Sequence, residues 1–313
     1  MRYYFAPLEG LTDSMYRRLH HTYFPGLDRY YMPFLSPTQH RVLTNREERE
    51  LPLADNETFS AVPQILTKNA QDFLWAARVC RDRGYDEVNL NLGCPSGTVV
   101  SKGKGSGMLA MPQVLDEFLE EIFTDAPIAV SVKTRLGVEQ GEEFPRLLEI
   151  FNQYPIRELT IHPRVRKDFY KSNLRMDWFD YALEHAKMPL CYNGNLNSPA
   201  DIQAFQESYP QVESLMIGRG FIGDPGMLWG PFDAARVEAF HDELLETYIQ
   251  AFGSERNAMF RMKENWFYLL RRFTDSEKLG KRLRKTTDCR EFRQLAHEVF
   301  QTLTPAPCLQ ADW

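Results

Sequence analysis

The chain has 313 residues, of which 43% are hydrophobic, 26% charged and 13% aromatic, with a formal net charge of −6. That length exceeds one small domain and suits a barrel of about 250 residues plus one further module. The composition excludes intrinsic disorder, and no stretch approaches the ~20 consecutive apolar residues of a membrane-spanning helix.

The N-terminus, Met1-Arg2-Tyr3-Tyr4-Phe5-Ala6-Pro7, lacks the basic region, long apolar run and small-residue cleavage site of a secretory signal. A cytoplasmic location and no membrane partner are the expectation. Five cysteines (Cys80, Cys94, Cys191, Cys289, Cys308) are odd in number and form no CxxC pair. Neither a zinc site nor a disulfide framework is suggested, so no metal is expected and the thiols should be reduced. Between Arg256 and Thr304 there are 12 Lys/Arg and 6 Asp/Glu, a local charge of +6 that leaves the rest of the chain at −12. An acidic body with a basic end points to a polyanionic partner at that end. On charge alone, solvated basic faces of a helical bundle are the better reading.

The first ~230 residues alternate short β-like and helix-like runs. Strands are predicted at Tyr3–Pro7, Arg29–Phe34, Ser60–Leu66, Glu87–Leu92, Ile128–Thr134, Glu158–His162, Leu190–Asn193 and Ser214–Ile217. They read as short and apolar on both faces, as parallel strands covered by helices should be. Helical spacing marks Asp72–Arg83, which stops at Gly84, then Val114–Phe123, and Pro199–Tyr209 behind Ser198 as N-cap. The second unit, Ser36–Asn56, is polar and shows no clean helix. Eight such units predict an α/β fold, a (β/α)8 TIM barrel over residues 1–231. A doubly wound sheet would need a GxGxxG turn after its first strand, and Glu9-Gly10-Leu11-Thr12-Asp13 is not one. Past Pro231 strand signals cease. Val237–Phe252, Ala258–Phe273, Ser276–Lys285 and Glu291–Leu303 read as helices broken at Gly253 and Gly280, giving a C-terminal all-helical domain over 232–313.

In such a barrel the chemistry gathers where strands end. The ends here are Ala6-Pro7-Leu8-Glu9-Gly10, Gln64, Asn89-Leu90-Asn91-Leu92-Gly93-Cys94-Pro95, Lys133-Thr134-Arg135, His162-Pro163-Arg164, Asn193-Gly194-Asn195 and Gly218-Arg219-Gly220. Any one of these polar residues is as easily a satisfied buried group as a ligand contact. Jointly, on one barrel mouth, they favour a ligand site. Lys and Gln suit the electron-rich edge of a flavin, and glycine turns with Arg219 suit a phosphate, as they would also in a simpler phosphorylated metabolite. A free Cys is usually a small buried residue. Held on a turn between Gly93 and Pro95, Cys94 could instead serve the mouth as an acid or nucleophile. An unperturbed thiol titrates near ~8.5 and can donate a proton at neutral pH. His162 is either its base or a hydrogen-bonding group. Lys102-Gly103-Lys104-Gly105-Ser106-Gly107 fails the order of a P-loop and reads as a mobile basic loop that could close on substrate.

Four segments then resemble one family, the tRNA-dihydrouridine synthases. They are Ala6-Pro7-Leu8-Glu9-Gly10-Leu11-Thr12-Asp13, Asn89-Leu90-Asn91-Leu92-Gly93-Cys94-Pro95-Ser96, Val132-Lys133-Thr134-Arg135-Leu136-Gly137 and Met216-Ile217-Gly218-Arg219-Gly220. The resemblance covers the barrel, and the helical end fits the family's RNA-binding domain. It implies an enzyme with FMN at the barrel mouth and NADPH as reductant, which reduces uridine to 5,6-dihydrouridine in folded RNA, with transfer RNA the expected partner. Hydride would go from the flavin N5 to C6, and Cys94 would protonate C5. By match, Pro7, Leu8, Glu9, Gln64, Lys133, His162, Asn193, Gly194, Asn195, Gly218 and Arg219 would contact the cofactor. Asn91, Arg135, Arg164, Lys102, Arg282 and Lys285 would contact the substrate. The basic helices, with Arg261, Lys263, Arg271, Arg272, Lys278, Lys281, Arg282, Arg284 and Lys285, would read phosphates. Trp266, Phe267 and Tyr268 read as core rather than stacking platforms. The chain departs from the family at Leu8, Asn195, Pro163 and the Lys102–Gly107 loop, none of which removes a catalytic group.

Alternatives remain at this point. One is a flavin barrel acting on a free pyrimidine or another small enoyl compound. Another is a dihydrouridine synthase acting on ribosomal RNA. The last is a non-catalytic RNA-binding protein on a retired barrel. No nicotinamide motif is visible, so NADPH rests on the resemblance, and a monomer is the expected state.

Overall fold

β1 (Arg2–Phe5) and the other strands of this chain hydrogen-bond only to parallel neighbours. A computed structural model describes residues 1–54, 58–171 and 173–309. The further strands are β2 (Arg29–Tyr31), β3 (Ala61–Val62), β4 (Gln64–Ile65), β5 (Glu87–Leu92), β6 (Ala129–Arg135), β7 (Leu159–His162), β8 (Leu190–Tyr192) and β9 (Ser214–Ile217). Their order is β3-β2-β1-β9-β8-β7-β6-β5-β4, nine strands among the described residues.

The two ends of that order are one predicted strand. Pro63 has no N–H, so the ladder breaks there. β3 pairs with β2, β4 pairs with β5, and the Pro63 carbonyl accepts from the Asn89 N–H at 2.8 Å. The cylinder is therefore nearly closed, a (β/α)8 barrel whose third strand changes partner at a proline.

Side chains alternate along each strand, so one parity points in and the other out. Phe5, Tyr30, Leu90, Val132, Ile161 and Leu215 belong to the large core between strands and helices. Tyr4, Ala6, Tyr31, Val62, Cys191 and Met216 form a separate small cluster inside the barrel. The expectation of strands apolar on both faces is corrected here. Asn89, Ser131, Glu158, Thr160 and Ser214 are buried on the inward parity, joined through side-chain hydrogen bonds such as Asn89 to Ser131 at 2.9 Å and Ser214 to Glu158 at 2.9 Å.

The barrel helices are α1 (Ser14–Tyr23), α2 (Asn45–Glu50), α3 (Ala70–Asp82), α4 (Gly97–Val100), α5 (Pro112–Asp125), α6 (Phe144–Phe151), α7 (Met176–His185), α8 (Pro199–Ser208) and α9 (Arg219–Gly223). Ser198 caps α8 by accepting from the Asp201 N–H at 3.1 Å, as the sequence predicts. The polar second unit does hold a helix. Thr44 and Glu47 form a capping box that starts α2, while Asp55 and Asn56 of that unit lie outside the described residues.

Beyond Pro231 come α10 (Ala234–Phe252), α11 (Glu255–Leu269), α12 (Glu277–Lys285) and α13 (Cys289–Thr302). Residues 310–313 lie outside the described part. Gly253 ends α10 with φ 61°. Gly280 is not a break. It is buried inside α12, where a Cβ would come 2.8 Å from Leu270. This helical segment is pinned to the barrel. Tyr248 donates to Asp13 at 3.1 Å, Arg261 pairs with Asp13 at 3.0 Å, and Arg272 pairs with Asp224 at 2.9 Å. No helix among the described residues is long and apolar enough to cross a membrane.

Candidate active site

A cavity of about 430 Å³ opens at the C-terminal ends of the strands. Its floor follows from strand parity. Gln64, Asn91, Lys133, His162, Asn193 and Gly218 all take the inward parity at the ends of β4 to β9 and line it, with Pro7, Leu8 and Glu9 from the turn after β1. Cys94, Arg135, Gly194 and Arg219, also expected there, line it too, whereas Asn195 and Arg164 do not.

The Cys94 backbone is held by three hydrogen bonds. Its N–H donates to Asn91 Oδ1 at 2.9 Å, and Gly93 donates to the same oxygen at 3.1 Å. Its carbonyl accepts from the N–H of Ser106 at 3.1 Å and from Ser106 Oγ at 2.8 Å. Asn91 is itself fixed, because its amide donates to Gln64 Oε1 at 2.7 Å and Gln64 donates on to Asn89 at 2.8 Å. This hydrogen-bonded chain along the barrel wall leaves the half-buried thiol on a rigid turn at the rim. Burial pushes the thiol above its ordinary value, and the Ser96 N–H and Arg135 pull it partly back. The net shift favours the thiol over the thiolate.

The basic groups begin on the neighbouring strand, β6. Lys133 donates to Asn193 Oδ1 at 2.6 Å, and burial beside Arg135 lowers it to about 8. Arg135 spans the turns, donating to the carbonyls of Gly93 at 2.9 Å, Val165 at 3.1 Å and Phe169 at 2.8 Å. His162 is held well below its usual range by burial and by Arg135, Lys133, Arg164 and Arg219 around it. Arg164 only donates, so the 3.0 Å contact to His162 Nε2 leaves the ring proton on Nδ1. Glu9, the carboxylate on the wall, is paired with Arg46.

Several expectations change. Asn91 and Arg135 line the cavity and also brace the Cys94 turn. Arg164 and Asn195 lie behind the wall, where Asn195 Oδ1 accepts from Arg164 at 3.2 Å and from Arg219 at 3.3 Å. The Lys102–Gly107 stretch is not a free lid. Gly105 to Leu109 are buried, and Gly105 (φ +57°) lies directly under Cys94. Lys102, Arg282 and Lys285 are exposed and lie outside the cavity. Of the basic residues expected to read phosphates, Arg261 and Arg272 are barrel pins, and Lys263 caps the end of α12 through the carbonyls of Arg284 (3.1 Å) and Thr286.

Aromatic residues at the mouth are the main omission. Phe34, Phe169, Tyr170 and Tyr268 line the cavity. Phe169 takes φ +48°, costly for a bulky residue, and Arg135 holds its carbonyl. Tyr170 lies beneath two guanidinium groups, Arg135 at 5.3 Å and Arg219 at 4.8 Å from its ring centre. Tyr268 comes from α11. Trp266 is core as expected, donating to His241 at 3.0 Å, whereas Phe267 is exposed. A pair of adjacent aromatics in a charged loop after β7 is the signal that could have found Phe169 and Tyr170.

The donor set fits an anionic, hydrogen-bonding ligand. Lys133 and Arg219 carry charge into a partly dry cavity with no unpaired carboxylate on its described wall. The wall stays bare at Gly218, where a Cβ would come 3.3 Å from Ala6. Among the described residues, no three His, Cys, Asp or Glu side chains come together as metal ligands would.

A family model described as "Dihydrouridine synthase (Dus)" matches residues 4–310. tRNA-dihydrouridine synthase B of Pasteurella multocida is 28% identical over 227 residues, 72% of this chain and 67% of that protein. Its namesake in Shewanella oneidensis is 26% identical over 277 residues, 84% and 85% of the two chains. A probable tRNA-dihydrouridine synthase 1 of Synechocystis is 29% identical, and the match spans 61% of its length. Among solved structures, a variant of NCR from Zymomonas mobilis superposes with a TM-score of 0.51 at 16% identity, covering 74% of this chain and 88% of that one. Morphinone reductase gives 0.52 at 11% identity, covering 74% and 87%. These two likenesses show the fold.

Proposed function

Because this chain belongs to the dihydrouridine synthase family, we propose that it reduces uridine to 5,6-dihydrouridine in folded RNA, most simply a transfer RNA as in the names of its relatives. The observation that carries the reading is the convergence of the Cys94 thiol, Lys133 and the Asn193–Gly194 and Gly218–Arg219 turns on one cavity.

FMN held there would supply hydride chemistry, with NADPH as the source of the hydride and C6 of the uracil as its acceptor. Gln64, Lys133 and Asn193 would meet its polar ring edge, and Gly194, Gly218 and Arg219 its phosphate. His162, neutral with its proton on Nδ1, offers a donor that adds no positive charge. Cys94 acts on the substrate. Its S–H bond breaks as a C–H bond forms at C5, and the thiolate left behind lies in the field of Arg135 and Lys133, both of which favour it. Solvent returns the proton. A uracil in folded RNA must leave its stack to reach this site, at a few kcal/mol, and the exposed aromatics Phe169 and Tyr170 at the mouth offer surfaces for it.

The test is Cys94→Ala. The variant is expected to retain bound flavin and its visible spectrum while dihydrouridine formation in a single turnover falls by two to four orders of magnitude. Near-normal product would reject the assignment of Cys94, and a protein that cannot be loaded with flavin would reject the reading as a whole.

A further inference from the structure

Outside the cavity, one rim carries an arrangement that the chemistry above does not use. Lys68 follows β4, and Lys102 and Lys104 flank Gly103 on the strap between α4 and the buried turn at Gly105. Gly103 has φ +68°, and a Cβ there would contact Lys68 Cδ at 3.7 Å, so the Lys68 stem lies across the bare glycine between the other two lysines. Lys104 Nζ donates to Ser36 Oγ at 3.3 Å. Asp72, the carboxylate that faces Lys104, is already engaged by Arg41 at 3.4 Å. Lys68 and Lys102 both repel the Lys104 ammonium, and among the described residues the carboxylate that opposes them, Asp72, is shared with Arg41, on a chain whose net charge is −6. Like charges held together by a positive-φ turn repel each other unless an anion sits among them.

The position of this cluster specifies the anion. Lys104 precedes Gly105, whose Cβ position is 3.1 Å from Cys94 Cβ, and Ser106 holds the Cys94 carbonyl. Ser36, which Lys104 reaches, is two residues from Phe34 on the cavity wall. An anion here lies one strap away from the reactive thiol.

We propose that Lys68, Lys102 and Lys104 form a phosphate clamp for the backbone of the RNA next to the nucleotide that enters the cavity. The clamp rests on the reading that the substrate is RNA. Loss of a flipped base from its stack is offset in part by fixing its neighbouring phosphate, and a clamp on the same strap as Cys94 sets the register between backbone and thiol. The basic face of α12, with Lys278, Lys281, Arg282 and Lys285 exposed, is a separate surface on the helical segment.

The test uses the flavin-loaded, full-length protein and unmodified transfer RNA. Affinity is measured from 50 to 300 mM salt for the wild type, for the triple variant Lys68→Ala/Lys102→Ala/Lys104→Ala, and for the triple Lys→Arg variant, with circular dichroism as the check on folding. Each phosphate contact contributes roughly −0.7 to −0.9 to the slope of log affinity against log salt. The alanine variant should bind at least tenfold more weakly at low salt, with a slope shallower by about 2 to 3, and the arginine variant should keep both values. Unchanged affinity and slope in the alanine variant would overturn the clamp while leaving the enzymatic reading intact. So would a loss confined to reduction by NADPH, which would assign the cluster to the phosphates of the dinucleotide. Failure of the wild type to bind RNA would overturn both.

Discussion

A lysine ammonium inside a protein without a carboxylate is a stability cost that a bound anion removes. Lys133 is this case. Its folded value of about 8 lies below the ~10.4 of a lysine in the unfolded chain. Below pH 8 it is charged in both states and the cost is fully present. Between pH 8 and about 10.4 the unfolded chain holds a proton that the folded one has released, so stability contributed by this residue rises with pH. Lys133→Met should therefore raise the thermal midpoint of the cofactor-free protein at pH 7, by less at pH 9.5, while flavin affinity falls at least tenfold. A variant less stable than the wild type at pH 7 would show that the bond to Asn193 outweighs the desolvation. Residues of this kind were legible in the sequence because each is a polar group closing an apolar strand. Tyr268 and Phe267 were not, because an aromatic at helical spacing looks alike whether it faces the core or a cleft. Only the packing of α11 separates Trp266 from its two neighbours.

Elements were legible where the chain obeys one periodicity at a time. All eight strands stand where apolar runs are bounded by turn residues, and their parity, rather than their mean hydropathy, decides what the barrel contains. The reading failed where a local signal had two meanings. Pro63 splits a strand without ending it, and Gly280 is a close approach of α12 to Leu270 instead of a stop. Gly105 carries the strap under Cys94 in the same manner. A Cβ there would lie 2.9 Å from the Cys94 carbonyl oxygen and 3.0 Å from Val99, at φ +57°. Gly97, at the start of α4 in the same loop, has nothing within 4 Å of its Cβ position. Gly105→Ala should cost about 1 to 3 kcal/mol of stability and reduce turnover by shifting the Cys94 turn. Gly97→Ala should leave the melting temperature within a degree of the wild type. Equal effects of the two substitutions, in thermal unfolding and single-turnover assays, would show that the strap does not hold Cys94.

At the scale of the molecule, the helical segment behaves as part of the barrel's architecture. Asp13 caps α1 by accepting from the Tyr16 N–H at 3.0 Å and also receives Tyr248 and Arg261, so one carboxylate ties the first barrel helix to α10 and α11. Farther along, Arg272 and Asp224 form a pair in which both side chains are 8% exposed. Burial pushes the Asp224 carboxyl up, and Arg272 opposes this. Removing the guanidinium alone leaves a carboxylate in a dry interface, which costs about 3 to 5 kcal/mol. Arg272→Met should lower the urea midpoint accordingly, and Arg272→Met/Asp224→Leu should recover most of the loss, because no charge then remains buried. Pins of this kind also predict that barrel and helices unfold together. Far-ultraviolet circular dichroism, which follows helix, and near-ultraviolet circular dichroism, which follows aromatic packing in both parts, should give coincident transitions. A helical segment that melted first while the barrel stayed folded would mean that the Asp13 and Asp224 contacts contribute little. In that case Tyr268 would be a detachable wall of the cavity instead of a fixed one.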